Sequence, residues 1–135
     1  MASTKTHPHI DTPSEDDLGR LITMLHPAHR QSYLDAHRLM LEAVPGVEYA
    51  VDTVDGAIGY GARQFGYDGW GMAALAPHAG WVSLVFLRGA TLDDPHALLE
   101  GSGALVRHVK LRSAEDLASK REPLRLLLQA AAGGR

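Results

Sequence analysis

The chain has 135 residues, 13 basic against 16 acidic side chains for a net charge of −3, and no cysteine. A single domain of this size buries roughly two-thirds of its unfolded surface and needs no covalent staples; the missing cysteines exclude disulfides, thiolate zinc sites and self-ligated iron–sulfur clusters, and fit a reducing cytoplasm. The acidic balance argues against nucleic acid as a partner, no apolar run approaches the roughly 20 residues of a membrane span, and the N-terminus lacks the apolar core of a signal peptide.

Residues 1–13, with Pro8 and Pro13, read as a flexible polar tail, and 14–133 as one domain. Ser14 followed by Glu15, Asp16 and Asp17 reads as a capped helix start, with acids at the positive end of the dipole. Leu18, Leu21, Ile22 and Leu25 recur at helical spacing until His26-Pro27 interrupts. A second helix is expected from Pro27 to Val44, with Tyr33, Leu34, His37, Met40, Leu41 and Val44 on one stripe and Pro45-Gly46 as its stop. Four short apolar runs follow, VEYAV, AIGYGA, WGMAAL and WVSLVF, separated by turns at Asp55-Gly56, Tyr67-Asp68-Gly69 and Pro77-His78-Ala79-Gly80. They read as an antiparallel meander. In the last run Val82, Leu84 and Phe86 alternate with Trp81, Ser83, Val85 and Leu87; both faces are mainly apolar, which predicts a central strand covered on both sides. Asp94-Pro95 is expected to open a short helix that Gly101-Ser102-Gly103 ends. Leu105–Leu111 reads as a basic strand, and Ser113-Ala114-Glu115-Asp116 as a capping-box-like helix start. Leu117, Leu124, Leu127 and Leu128 stripe this last helix, Pro123 is expected to divide it, and residues 131–135 to fray. Segregated helices and strands indicate an α+β fold: an antiparallel β-sheet of about five to six strands with N- and C-terminal helices packed on one face.

Several pieces stand in an order that resembles the YdhG-like domains of unknown function. They are the Pro45-Gly46 helix exit, Trp81-Val82-Ser83-Leu84, Leu92-Asp93-Asp94-Pro95, Leu98-Leu99-Glu100-Gly101-Ser102-Gly103, and Arg107-His108-Val109-Lys110-Leu111-Arg112-Ser113. The resemblance implies a frataxin-like fold and, for at least one relative, a proposed role as an intracellular iron chaperone. It carries over no catalytic residues. Family members commonly place proline after a W-G-x or Y-G-x turn, whereas Arg63 follows Tyr60-Gly61-Ala62 here. The segment Val47–Asp68 departs from the family pattern, so a family site there is not carried over.

The histidines offer little metal-site spacing. His7 and His9 lie in the tail, His26 and His29 flank Pro27, and His37 sits centrally on an apolar stripe, where a packed core histidine is expected rather than a ligand. Glu15, Asp16 and Asp17, extended by Asp11, Glu48 and Asp52, are where iron would be held on oxygen ligands; the simpler reading is dipole stabilisation in a first helical turn. Alternation puts His108 and Lys110 on one face of the basic strand. If helices leave that face open, the two line an anion or small-ligand groove with Arg88 or His78 from neighbouring turns. A charged edge strand that resists aggregation is the competing reading. Gly101-Ser102-Gly103 lacks the ending of a phosphate loop, Ser83 and Ser102 sit in no nucleophile elbow, and Trp70 and Trp81 read as core or interface aromatics.

The expected function is therefore a soluble, cytoplasmic, non-enzymatic domain that binds a small ligand or protein partner on the open sheet face. An iron-binding chaperone is the alternative, and a small-molecule enzyme with a site assembled across strands the second alternative. An apolar second face on the central strand also makes a homodimer an expected arrangement.

Overall fold

A computed structural model describes residues 10–11, 15–67 and 71–133. The chain runs β1 (Ile10–Asp11), α1 (Glu15–Met24), α2 (Pro27–Ala43), β2 (Tyr49–Asp52), β3 (Ala57–Tyr60), β4 (Ala73–Pro77), β5 (Val82–Phe86), β6 (Arg107–Leu111) and α3 (Ala114–Ala131). The six strands form one antiparallel sheet in sequence order. This is an α+β arrangement in which β2–β6 form a meander between the N- and C-terminal helices and β1, which precedes α1, pairs at its edge.

Local chemistry sets the boundaries. His26 caps α2, its Nδ1 accepting the Ala28 amide at 3.1 Å, and Pro27 occupies the first helical turn, where its missing N–H costs no bond. Ser113 caps α3 by accepting the Asp116 amide at 3.0 Å, and the Asp116 carboxylate accepts the Arg112 amide. That carboxyl is held below its ordinary value; burial opposes the shift, while the Arg112 amide and the Lys120 ammonium outweigh it.

The helices cover one face of the sheet. Leu21, Tyr33, Leu39, Met40, Leu117, Leu124 and Leu128 from the helices meet Ile58, Leu75, Val82, Leu84, Phe86, Val109 and Leu111 from the strands in a single core. The register keeps this alternation in step: Leu75 opposes Leu84, which opposes Val109. The other face carries Ser83 opposite Lys110 and Val85 opposite His108.

The structure corrects several expectations. Ile10 and Asp11, placed in a loose tail, pair with Asp52 and Val51 as an edge strand. β5 is not covered by helices on both sides; its second face holds Ser83, buried, and Val85, half-buried. Residues 93–99 are not helical. Asp94 instead accepts the amides of Leu98 and Leu99 at 3.0 and 2.8 Å, one and two residues beyond the amides an N-cap takes, and Ala97 is left-handed at φ 53°. A 3-10 turn, Gly89–Thr91, lies in this connection. Gly101-Ser102-Gly103 consequently ends no helix. The basic strand starts at Arg107, because Leu105 and Val106 are exposed in the loop before it.

α3 runs through Pro123 undivided. Proline removes one backbone donor there, but Leu117 before it and Leu124, Leu127 and Leu128 after it are buried in the same core and hold both halves in place. Ala131 and Ala132, expected to fray, are buried too.

Candidate functional site

The face of the sheet opposite the helices brings chemistry-bearing side chains together at the β5–β6 end. β4 and β5 are joined by a tight turn in which the His78 amide donates to the Trp81 carbonyl at 2.9 Å, with Ala79-Gly80 as its two central residues. The turn stacks the His78 ring on the Trp81 indole, with centroids 5.0 Å apart and planes 22° from parallel. The indole N–H donates to Ser83 Oγ at 3.0 Å, which lays Trp81 along the sheet and buries Ser83. Ser83 opposes Lys110 in the register, and the Lys110 ammonium lies 4.8 Å from the indole centroid, in cation–π contact.

Two further residues border this platform. Glu100 forms a bridge with His108 outside the strands proper: its amide donates to the His108 carbonyl at 2.8 Å, and its carbonyl accepts the His108 amide at 3.0 Å. The Glu100 carboxylate is thereby placed 3.8 Å from the Lys110 ammonium. His108 lies two residues from Lys110 on the same face, opposite Val85. The outer rim of β6 is closed by Glu100 and by Lys120, whose ammonium donates to the Lys110 carbonyl at 3.0 Å while paired with Asp116. Edge protection, the competing reading of this strand, is thus supplied by residues other than its own charges.

Of the expected site residues, His78, His108 and Lys110 share this face, and Arg88 does not join them. Arg88 follows the opposite end of β5, with its guanidinium 4.4 Å above the Tyr67 ring and donating to the Gly66 carbonyl at 3.3 Å. It pins the Gly61–Tyr67 loop. Trp81 and Glu100 are the members that reading by residue type overlooks. For Trp81 the signal was present, since it alternates in phase with Ser83 and follows a turn too tight to let His78 point elsewhere.

Three further titratable groups, His37, Tyr33 and Tyr60, are engaged in the interior. His37 is buried on α2, and its Nδ1 lies 2.8 Å from the Tyr60 hydroxyl, with Tyr49 edge-on at 4.8 Å. Burial, and then the Arg38 charge, hold its imidazole below the usual histidine range. Tyr33 donates from its hydroxyl to the carbonyls of Gly56 and Leu75 at 2.9 and 3.2 Å. Burial raises the phenol pKa of both Tyr33 and Tyr60. His37 is thus the core histidine its stripe predicts, with a polar partner that the apolar stripe did not announce.

The acidic residues considered for iron are divided. Asp17 pairs with Arg20. Asp52 is buried and its Oδ1 accepts the amides of Val54 and Asp55 at the β2–β3 turn, so it extends no exposed ridge. The side chains of Asp11, Glu15 and Asp16, together with Ser14, His7, His9 and Trp70, lie outside the described residues. Among the described residues no three His, Cys, Asp or Glu side chains group to hold a metal ion.

On the helix side, a shallow cleft of about 250 Å³ separates α2 from α3, lined by Asp35, Arg38, Leu39, Glu42, Leu117 and Arg121. Its charges pair off, Arg38 with Asp35 along α2 and Arg121 with Glu42 across the cleft, leaving no net charge for a ligand to answer. None of the described helices is long and apolar enough to cross a membrane. Comparison of the chain with protein-family models, with curated proteins and with solved structures finds no match.

Proposed function

We propose that the chain is a non-enzymatic, YdhG-like binding domain that takes a small anionic ligand at the Trp81–Lys110 corner of its open sheet face. The observation that carries this reading is the convergence of His78, Trp81 and Lys110 on the face the helices leave bare. A cation fixed against an indole loses little freedom when an anion docks on it, so the corner is preorganised for recognition. His108 lies on the same face of β6, two residues from Lys110. Ser83 supports binding over nucleophilic catalysis: its oxygen accepts an indole N–H, and a donor of that kind cannot serve as the base that activates a hydroxyl.

The test is an NMR titration of 15N-labelled protein with benzoate and, separately, inorganic phosphate at fixed ionic strength. Shifts centred on the Trp81 indole N–H and the Lys110 and His108 amides are expected. The variant carrying both His108→Ala and Lys110→Ala should lose them while melting close to the wild-type temperature. Retained binding in that variant sinks the assignment, and so does its unfolding, because the two residues would then be structural.

A further inference from the structure

We infer that the Glu100 carboxylate is a built-in competitor at this site: it occupies the position that the oxyanion of an incoming ligand takes over at Lys110. The inference rests on the binding reading above and adds the ligand's chemical class and the residue that gates it.

The two partners of the Glu100–Lys110 pair are held very differently. Lys110 sits in the continuous β5–β6 ladder opposite Ser83, its ammonium lies against Trp81, and its carbonyl is tied to Lys120. Its side chain is 26% exposed. The Glu100 side chain is 49% exposed, and its oxygen stays 3.8 Å from the ammonium, outside hydrogen-bond distance. An exposed pair of that length adds little stability, since solvent screens it and both chains lose freedom in making it. The cation is therefore fixed and the anion exchangeable.

The Glu100 backbone is meanwhile pinned by its two hydrogen bonds to His108, so the side chain can swing aside without moving the strand. The next residue leaves room beside the site. Gly101 has φ +122°, and a Cβ added there would lie 3.7 Å from His108 Nδ1. Two neighbouring cations are committed elsewhere: Lys120 pairs with Asp116, and Arg107 donates to the carbonyls of Gly103 and Val106. Lys110 is thus the ammonium an entering carboxylate or phosphate meets, and Glu100 the negative charge it must displace and then tolerate nearby.

Removing that charge while keeping the shape should strengthen binding. Glu100→Gln is expected to lower the Kd for benzoate about two- to fivefold, the range that an exposed ion pair spans, and Glu100→Ala should do the same. The readout is the Trp81 indole N–H in titrations with benzoate and with inorganic phosphate. A carboxylate-specific site strengthens for benzoate alone, and a general oxyanion site strengthens for both. Lys110→Met should abolish the response in either background. If wild type responds at Trp81 and the two Glu100 variants bind no more tightly, the competitor role is wrong while the binding reading stands. If Lys110→Met binds as wild type does, or if neither wild type nor the Glu100 variants respond, both are wrong.

Discussion

The two faces of the sheet use the same residue types to opposite ends. On the helix side His37, Tyr33 and Tyr60 are buried with their side chains hydrogen-bonded, and half-buried Tyr49 meets the His37 ring edge-on. On the open side a histidine, a tryptophan and a lysine, His78 with Trp81 and Lys110, meet through stacking and charge on an exposed surface. Residue type therefore does not separate packing from recognition in this molecule. Enclosure does: a buried polar group has spent its hydrogen bonds on the fold, while an exposed one held in place by a neighbour still has them to offer.

The largest test of that contrast lies within one strand. Leu84 and Val85 are adjacent on β5 but face opposite ways; Leu84 is 1% exposed in the core, and Val85 faces His108 and is half-buried. Leu84→Ala should destabilise the protein by about 2–5 kcal/mol, since it removes buried methylenes and leaves a cavity. Val85→Ala should cost less than about 1 kcal/mol, as its side chain already meets solvent. Urea unfolding of the two variants measures both. Equal losses would mean that the open face is a second core, covered by something in solution.

A smaller effect should appear with pH. Burial lowers the His37 pKa, with Arg38 adding to it. The folded state thus binds its proton more weakly than the unfolded chain, whose histidine titrates near 6.5. Stability from the neutral imidazole is complete above that value and is lost as pH falls through it toward the folded pKa. The loss per pH unit for one such group is at most about 1.4 kcal/mol. Wild type should therefore lose more stability than His37→Asn between pH 7.5 and about pH 5.5, as measured by urea unfolding. Parallel curves would show that His37 titrates alike in both states and that the interior is less closed than the hydrogen bond to Tyr60 implies.

Much of this architecture is legible in the sequence. Amphipathic spacing and the His26-Pro27 and Pro45-Gly46 signals placed both N-terminal helices, because each signal acts within a few residues of the boundary it sets. The connection from Leu87 to Val106 was misread for the complementary reason. Asp94-Pro95 is a valid helix start locally, but the aspartate is used by Leu98 and Leu99 in a tight turn, and the pairing of Glu100 with His108 fixes the path. Pro123 misled in the same way, since a shared core outweighs one missing donor. At the site, alternation placed His108 and Lys110 on one face. It could not place Glu100 beside Lys110 or Arg88 over Tyr67, because register and loop path are long-range properties.

The smallest expected effect discriminates best between the two faces. Lys110→Met removes an ammonium held by an indole 4.8 Å away and a carboxylate 3.8 Å away, both at a partly exposed position. Cation–π contacts and ion pairs in such settings each contribute roughly 0.2–1 kcal/mol. Methionine keeps an unbranched stem and brings a sulfur that packs well on aromatic rings, which offsets part of the loss. The net change in unfolding free energy should stay within about 1 kcal/mol, far below that of Leu84→Ala. Trp81 emission should shift as its cation is removed, showing that the corner changed even though the fold did not. A loss of about 3 kcal/mol or more would place Lys110 among the groups that hold the sheet together. The corner would then belong with the interior network, its ammonium committed to holding the fold instead of being offered to a ligand.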